Sequence, residues 1–166
     1  PSYRSGQFYW NSDEQTMNLD LTGGVTLQLG QESHYHVINQ SGDTINNGEV
    51  VYAAGVSSGT ISIDKFIADN SVEPNLILGV ATEDILDTET GFVTNFGRVR
   101  DVDTTGFSVG DVIWASTTAA GGYQTTRPAP PNHSIELGFI TKVGETDGEI
   151  YTRVTHKDDA DESVDE

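Results

Sequence analysis

The sequence predicts an all-β fold: a small barrel or sandwich of short antiparallel strands with an internal pseudo-repeat, an extended N-terminal arm and an acidic C-terminal tail. Three observations predict it. Eighteen glycines punctuate short β-branched runs. Helical periodicity is missing along nearly the whole chain. Three short phrases recur in the same order at nearly constant spacing.

The candidate strands are Val25–Leu29, Tyr35–Asn39, Glu49–Ala53, Thr60–Phe66, Leu76–Thr82, Gly91–Phe96, Arg98–Val102, Asp111–Ala115, Ile135–Val143 and Glu149–Thr155. Turn signals separate them: Asn46-Asn47-Gly48, Ser57-Ser58-Gly59, Ala120-Gly121-Gly122 and Thr146-Asp147-Gly148. Short strands at such spacing argue a barrel or sandwich. One helical turn or two is expected near Asp64–Asn70.

The repeat pairs Asn47-Gly48-Glu49-Val50-Val51-Tyr52-Ala53 with Val109-Gly110-Asp111-Val112-Ile113-Trp114-Ala115. It pairs Leu78-Gly79-Val80-Ala81-Thr82 with Leu137-Gly138-Phe139-Ile140-Thr141, and Gly91-Phe92-Val93-Thr94 with the region of Gly148-Glu149-Ile150-Tyr151-Thr152. The offsets, by subtraction, are 62, 59 and 57 residues. Two copies are fewer than the ~3 a solenoid needs, so the reading is two related β-units in one barrel domain. The competing reading is a common turn-plus-strand phrase met twice. Gly48 and Gly110 suit a positive φ at the turn. Glu49 and Asp111 then stand where a carboxylate accepts turn amides.

The ends differ from the middle. Residues 1–24 form the expected arm and hold Tyr3, Phe8, Tyr9 and Trp10. These four aromatics are the candidate interaction residues, covered either by a neighbouring surface or by their own domain. The barrel domain is placed at 25–156. The tail, 157–166, is expected to be disordered: Asp158 to Glu166 holds six acids and no base.

Bulk properties bound the function. The 166 residues suit one domain able to bury a core. There is no cysteine, hence no disulfide and no thiolate chemistry. Eight Lys and Arg against 26 Asp and Glu give a net charge of −18. Such a chain repels a phosphate backbone, so no direct nucleic-acid partner is expected. The charge suits solubility at high local concentration, or a high-salt habitat. No apolar run approaches the ~20 residues of a membrane helix, and no secretory leader is visible. Pro1 is what removal of an initiator Met leaves, so a native start is expected.

No motif supports catalysis or a cofactor. His34-x-His36 places two rings on one strand face, with Glu32 on that face if the strand extends so far, but two ligands are not a metal site. Asp101-x-Asp103 lacks the spacing and closing Glu of a calcium loop. Glu83-Asp84 and Asp13-Glu14 read as solvated acids. No Gly-x-Ser-x-Gly elbow or phosphate loop occurs. Arg98 and Arg100 share a strand face among acids and read as ion-pair partners. The segment Thr125–Pro131 reads as a stiff loop along an edge.

Several phrases together resemble a known module: Leu29-Gly30-Gln31-Glu32, Val37-Ile38-Asn39-Gln40-Ser41-Gly42-Asp43-Thr44-Ile45, Gly79-Val80-Ala81-Thr82-Glu83-Asp84-Ile85, Gly91 through Arg100, and Gly110-Asp111-Val112-Ile113-Trp114-Ala115. From about Val25 to Val154 the chain is similar to a β-module of tailed-bacteriophage structural proteins, of tail-fibre, head-fibre and virion types. In pattern it also resembles small β-barrel capsid decoration proteins. The resemblance implies a non-enzymatic virion structural protein, foremost a decoration or cement protein on the outer head surface. Its implied partner is the major capsid protein, its implied state a homotrimer, and its implied location the virion surface after assembly in the host cytoplasm. The alternative is a tail- or head-fibre-associated protein, with tail or collar partners, engaged in host attachment. The resemblance carries no catalytic residue, metal or cofactor.

Overall fold

The structure is a computed structural model, and it describes residues 3–156. The acidic tail from residue 157 lies outside the described residues. The fold is all-β. Twelve strands run in order: β1 (Phe8–Asn11), β2 (Thr16–Asp20), β3 (Thr26–Gln28), β4 (Ser33–Asn39), β5 (Val50–Ser57), β6 (Thr60–Lys65), β7 (Ile77–Ala81), β8 (Thr90–Val102), β9 (Val112–Ala115), β10 (Tyr123–Gln124), β11 (Ile135–Lys142) and β12 (Gly148–His156). The expected turn of helix at Asp64–Asn70 is not formed. Strand β6 runs through Lys65, and the backbone beyond it continues to pair across the sheet. Phe66 N–H donates to Val50 O and Ala68 N–H to Ser116 O, each at 2.8 Å, so these amides bond to strands distant in sequence instead of to carbonyls one helical turn back.

Strands β8, β4, β6, β5 and β7 close a five-stranded barrel, because β7 pairs back onto β8. All its pairings are antiparallel except β4 with β6. Alternation along each strand sends Val37, Val51, Ile63, Ala81 and Val93 into one cluster with Ile45 and Ile85. The next residues in register, Val50 and Val80, point to the other face. They pack with Phe66, Ile77, Val99, Ile113, Leu137, Ile140 and Ile150 in a second cluster. That cluster lies between the barrel and an outer layer in which β12, β11, β9 and β10 follow on in order from β8. The free end of this second layer is tied to the barrel where Val50 N–H donates to Gly121 O and Gly121 N–H to Phe66 O.

The pseudo-repeat is present in three dimensions, residue for residue. Val51 pairs with Gly79 and Tyr52 with Ile77, leaving Leu78 as the extra residue of a bulge. At the same offsets Ile113 pairs with Gly138 and Trp114 with Glu136, leaving Leu137 extra. Asn95 Nδ2 donates to the carbonyl of Leu78, and Thr152 Oγ1 to that of Leu137, both at 2.9 Å. The turn carboxylates do what their position predicts: Asn46 N–H donates to Glu49 at 2.6 Å and Ser108 N–H to Asp111 at 2.8 Å. Gly79 and Gly138 have φ of 152° and 145°, and a Cβ on either would overlap a carbonyl oxygen, Thr94 or Tyr151.

The N-terminal segment forms a separate three-stranded antiparallel sheet, β1-β2-β3. Thus Val25–Leu29, read as the first barrel strand, pairs instead with β2. The two neighbouring candidates Gly91–Phe96 and Arg98–Val102 are one strand, β8, with Gly97 in its middle.

If the carbonyl approach is what requires glycine, Gly79→Ala and Gly138→Ala each destabilise by about 3 kcal/mol or more. Gly59→Ala, where a Cβ meets nothing within 4 Å, costs only the ~1 kcal/mol of a left-handed backbone. Urea unfolding of the three variants measures this, and equal losses at all three positions would contradict it.

Candidate functional site

The polarity of the small sheet is inverted. Strand β2 reads Thr-Met-Asn-Leu-Asp, and Thr16, Asn18 and Asp20 are buried while Met17 and Leu19 are half exposed. On β1 Phe8 and Trp10 are each 57 % exposed. Cross-strand pairing sets Phe8 beside Leu19 and Leu19 beside Leu27, and sets Trp10 beside Met17. These side chains make one outward apolar face, which exposed Leu29 extends. The opposite face, with Asn18 and Gln28, turns toward the barrel.

Between that polar face and the barrel lies a cleft of about 690 Å³. From the sheet it is lined by Tyr9, Glu14, Asn18 and Gln28, and from the other side by Asn47, Glu83 and Asp84 of the barrel loops and by Arg100 and Asp101 of β8. Gly23, at φ 72°, lets the β2–β3 turn lie against the Glu83 carboxylate, where a Cβ would overlap it. Burial pushes the Glu83 carboxyl above its ordinary value, reinforced by the Asp84 charge and opposed by the Phe92 N–H that donates to it at 3.0 Å.

At the base of the cleft Glu32 is wholly buried. Its Oε2 accepts from Gln28 N–H at 2.9 Å, and Arg100 Nη1 stands 2.9 Å from its Oε1. That second contact is an ion pair whose N–H direction misses the oxygen, so Oε1 has no hydrogen bond. Arg100 also faces Glu149 at 3.8 Å, and Arg98 meets Glu149 at 3.3 Å, so both arginines pair within the chain. His34 Nε2 lies 3.9 Å from Glu32, and its Nδ1 is 3.1 Å from the Thr94 hydroxyl. Room for Glu32 comes from Gly97, whose φ is 123° and whose Cβ would stand 2.6 Å from Glu32 Cγ.

The four aromatics singled out in the sequence part company here. Phe8 and Trp10 lie on the outward apolar face. Tyr9 faces the cleft, and its hydroxyl accepts from Asn18 Nδ2 at 3.4 Å. Tyr3 is exposed and donates its hydroxyl hydrogen to the Leu21 carbonyl. His34 and His36 both pack near Phe92, at 6.4 and 5.3 Å between ring centres. Among the described residues no cluster of His, Asp and Glu is arranged to hold a metal ion. Asp103 is engaged by Thr105 N–H and hydroxyl at 2.9 and 2.7 Å. Sequence reasoning missed Asn18, Gln28 and Asn47. The alternation over Thr16–Asp20 carries the signal for Asn18, but not which face is buried.

Burial holds the His34 imidazole below its ordinary 6.5, and the Arg100 charge adds to this while Glu32 opposes it. An unfolded chain therefore takes up a proton below pH 6.5 that the folded chain refuses. Stability from this group is complete above that value and drains as the pH falls toward the folded one. Between about pH 7 and pH 5 the wild type loses stability more steeply than His34→Gln. Parallel curves in denaturant titrations would contradict the assignment.

No family model matches this chain, and no curated protein matches it in sequence.

Proposed function

We propose that the chain is a non-enzymatic structural protein of a tailed-bacteriophage particle, and that it decorates the outer surface of the head as a homotrimer. The observation that carries this is the outward apolar face of the N-terminal sheet. A small sheet ordinarily turns its apolar face to a core. This one turns Asn18 and Gln28 inward and leaves Phe8 and Trp10 in water. Strand β1 pairs on one side alone among the described residues, so its other edge also offers backbone groups. Two aromatic anchors on such an edge suit docking on another protein. In this reading the covering surface is the major capsid protein. Each copy then gains about 2 kcal/mol for each aromatic side chain it buries there. A lattice of many copies turns such modest gains into a reinforced shell. The doubled β-unit supports the same reading, since it is a stiff body built from one short motif. The negative charge suits an outer surface crowded with identical copies.

A second reading, a tail- or fibre-associated protein in host attachment, is favoured by the polar cleft, which has the size of a ligand site.

Quantitative mass spectrometry of particles, before and after the tails are stripped, separates the two. The head reading predicts copy numbers comparable to the major capsid protein, retained on tail-free heads. A few copies lost with the tails would replace it with the second reading. On heads, the Phe8→Ser/Trp10→Ser double variant should bind at least about thirtyfold more weakly. Its thermal midpoint should stay close to that of the wild type, because neither side chain is buried in the chain itself.

A further inference from the structure

We infer that the cleft between the N-terminal sheet and the barrel binds a neutral saccharide. Six buried polar atoms among the described residues have no hydrogen-bond partner: Asn18 Oδ1, Gln28 Oε1, Asn47 Oδ1, Arg100 Nη2, Glu32 Oε1 and His34 Nε2. The first four belong to residues lining this cleft. Glu32 adjoins it through Arg100 and Gln28, and His34 stands behind Glu32. The other buried side-chain polar atoms among the described residues are paired, as proteins generally require. Asn18 and Gln28 are each only 3 % exposed, so bulk water does not satisfy them. A concentration of unmet hydrogen-bonding capacity in one cleft is what a polar ligand would relieve.

The chemistry of the lining selects the ligand. Four carboxylates, Glu14, Glu83, Asp84 and Asp101, face one guanidinium, Arg100. This balance repels phosphate, sulfate and acidic sugars. The lining is too polar for a lipid or a flat apolar molecule. An ammonium group would suit the carboxylates and the three amide oxygens, but having no acceptor it would leave the Arg100 Nη2 hydrogens unpaired. A hydroxyl serves both, donating to Asn18, Gln28 and Asn47 and accepting from Arg100. The amide of Asn47 is held with its oxygen toward the cleft, because its Nδ2 donates to the Arg100 and Asp101 carbonyls at 2.7 and 3.1 Å. Tyr9 supplies an aromatic wall for a pyranose face. A volume of about 690 Å³ lies within the range of small-ligand sites. The inference rests on the cleft alone and does not need the virion reading.

Saturation-transfer NMR of the full chain tests it. The probes are neutral oligosaccharides of glucose, galactose, mannose and N-acetylglucosamine, with sialyllactose and spermidine as acidic and cationic comparators. At least one neutral oligosaccharide should receive saturation, while sialyllactose and spermidine should not. Asn18→Ala should weaken that binding about tenfold, the loss of one hydrogen bond. Tyr9→Ala, at the half-exposed wall, should weaken it comparably without disturbing the fold, and decides the matter if Asn18→Ala unfolds. Saturation of spermidine or sialyllactose alone, of no probe at all, or of a neutral oligosaccharide equally by wild type and Tyr9→Ala, would overturn the inference.

Discussion

The fold turns on one strand that serves two layers. The first half of β8 pairs with β4 and β7 and completes the barrel. Its second half pairs with β12 and carries the outer layer. The change of partners occurs at Gly97, where a side chain would collide with Glu32. Glu32 fills the space that the missing side chain leaves and reaches Arg100, three residues along the same strand. A buried carboxylate without that partner would be costly, so strand, glycine and ion pair stand or fall together. Arg100 in turn lines the polar cleft, with Glu32 behind it. The switch in strand pairing and the buried Glu32–Arg100 ion pair are therefore one feature.

The doubling of the β-unit explains how so short a chain holds two cores. Each copy brings a turn carboxylate, a bulge on the strand that faces a β-branched pair, and a glycine pressed on a carbonyl. Each bulge carbonyl is capped by a polar side chain, Asn95 in one copy and Thr152 in the other. Val51 and Ile113 occupy matching places yet belong to different clusters, one inside the barrel and one between the layers. One motif has been fitted to two environments by its neighbours rather than by its own residues.

Much of this was legible in the sequence. The ten candidate strands fall on nine real ones, because glycine and Asn-Gly turns mark their ends and β-branched residues fill them. The offsets of the repeat recur in the strand registers, Val51 with Gly79 and Ile113 with Gly138. The N-terminal sheet was not legible as a sheet. Phe8-Tyr9-Trp10 is continuously aromatic and hides the alternation that marks a strand, and β10 has only two residues. Thr16–Asp20 does alternate, but the usual rule would turn Met17 and Leu19 inward, and here they face out. The cleft escaped notice for a related reason. Its residues come from distant positions, Asn18, Asn47, Glu83 and Arg100, that only the docking of two sheets brings together. Glu32 was placed on the His34 face by spacing, while its burial depends on the glycine opposite.

The inverted sheet joins the two functional readings. The face that would bind another protein and the face that would bind a small ligand are opposite sides of one three-stranded layer. The most direct measurement is therefore the environment of Trp10 in the free chain. In a Trp114→Phe variant, Trp10 is the sole tryptophan. With the polar face turned inward, its emission is red-shifted and acrylamide quenches it freely. A blue-shifted emission protected from acrylamide in the free chain would mean that the apolar face is already covered, and would contradict the orientation on which both readings stand.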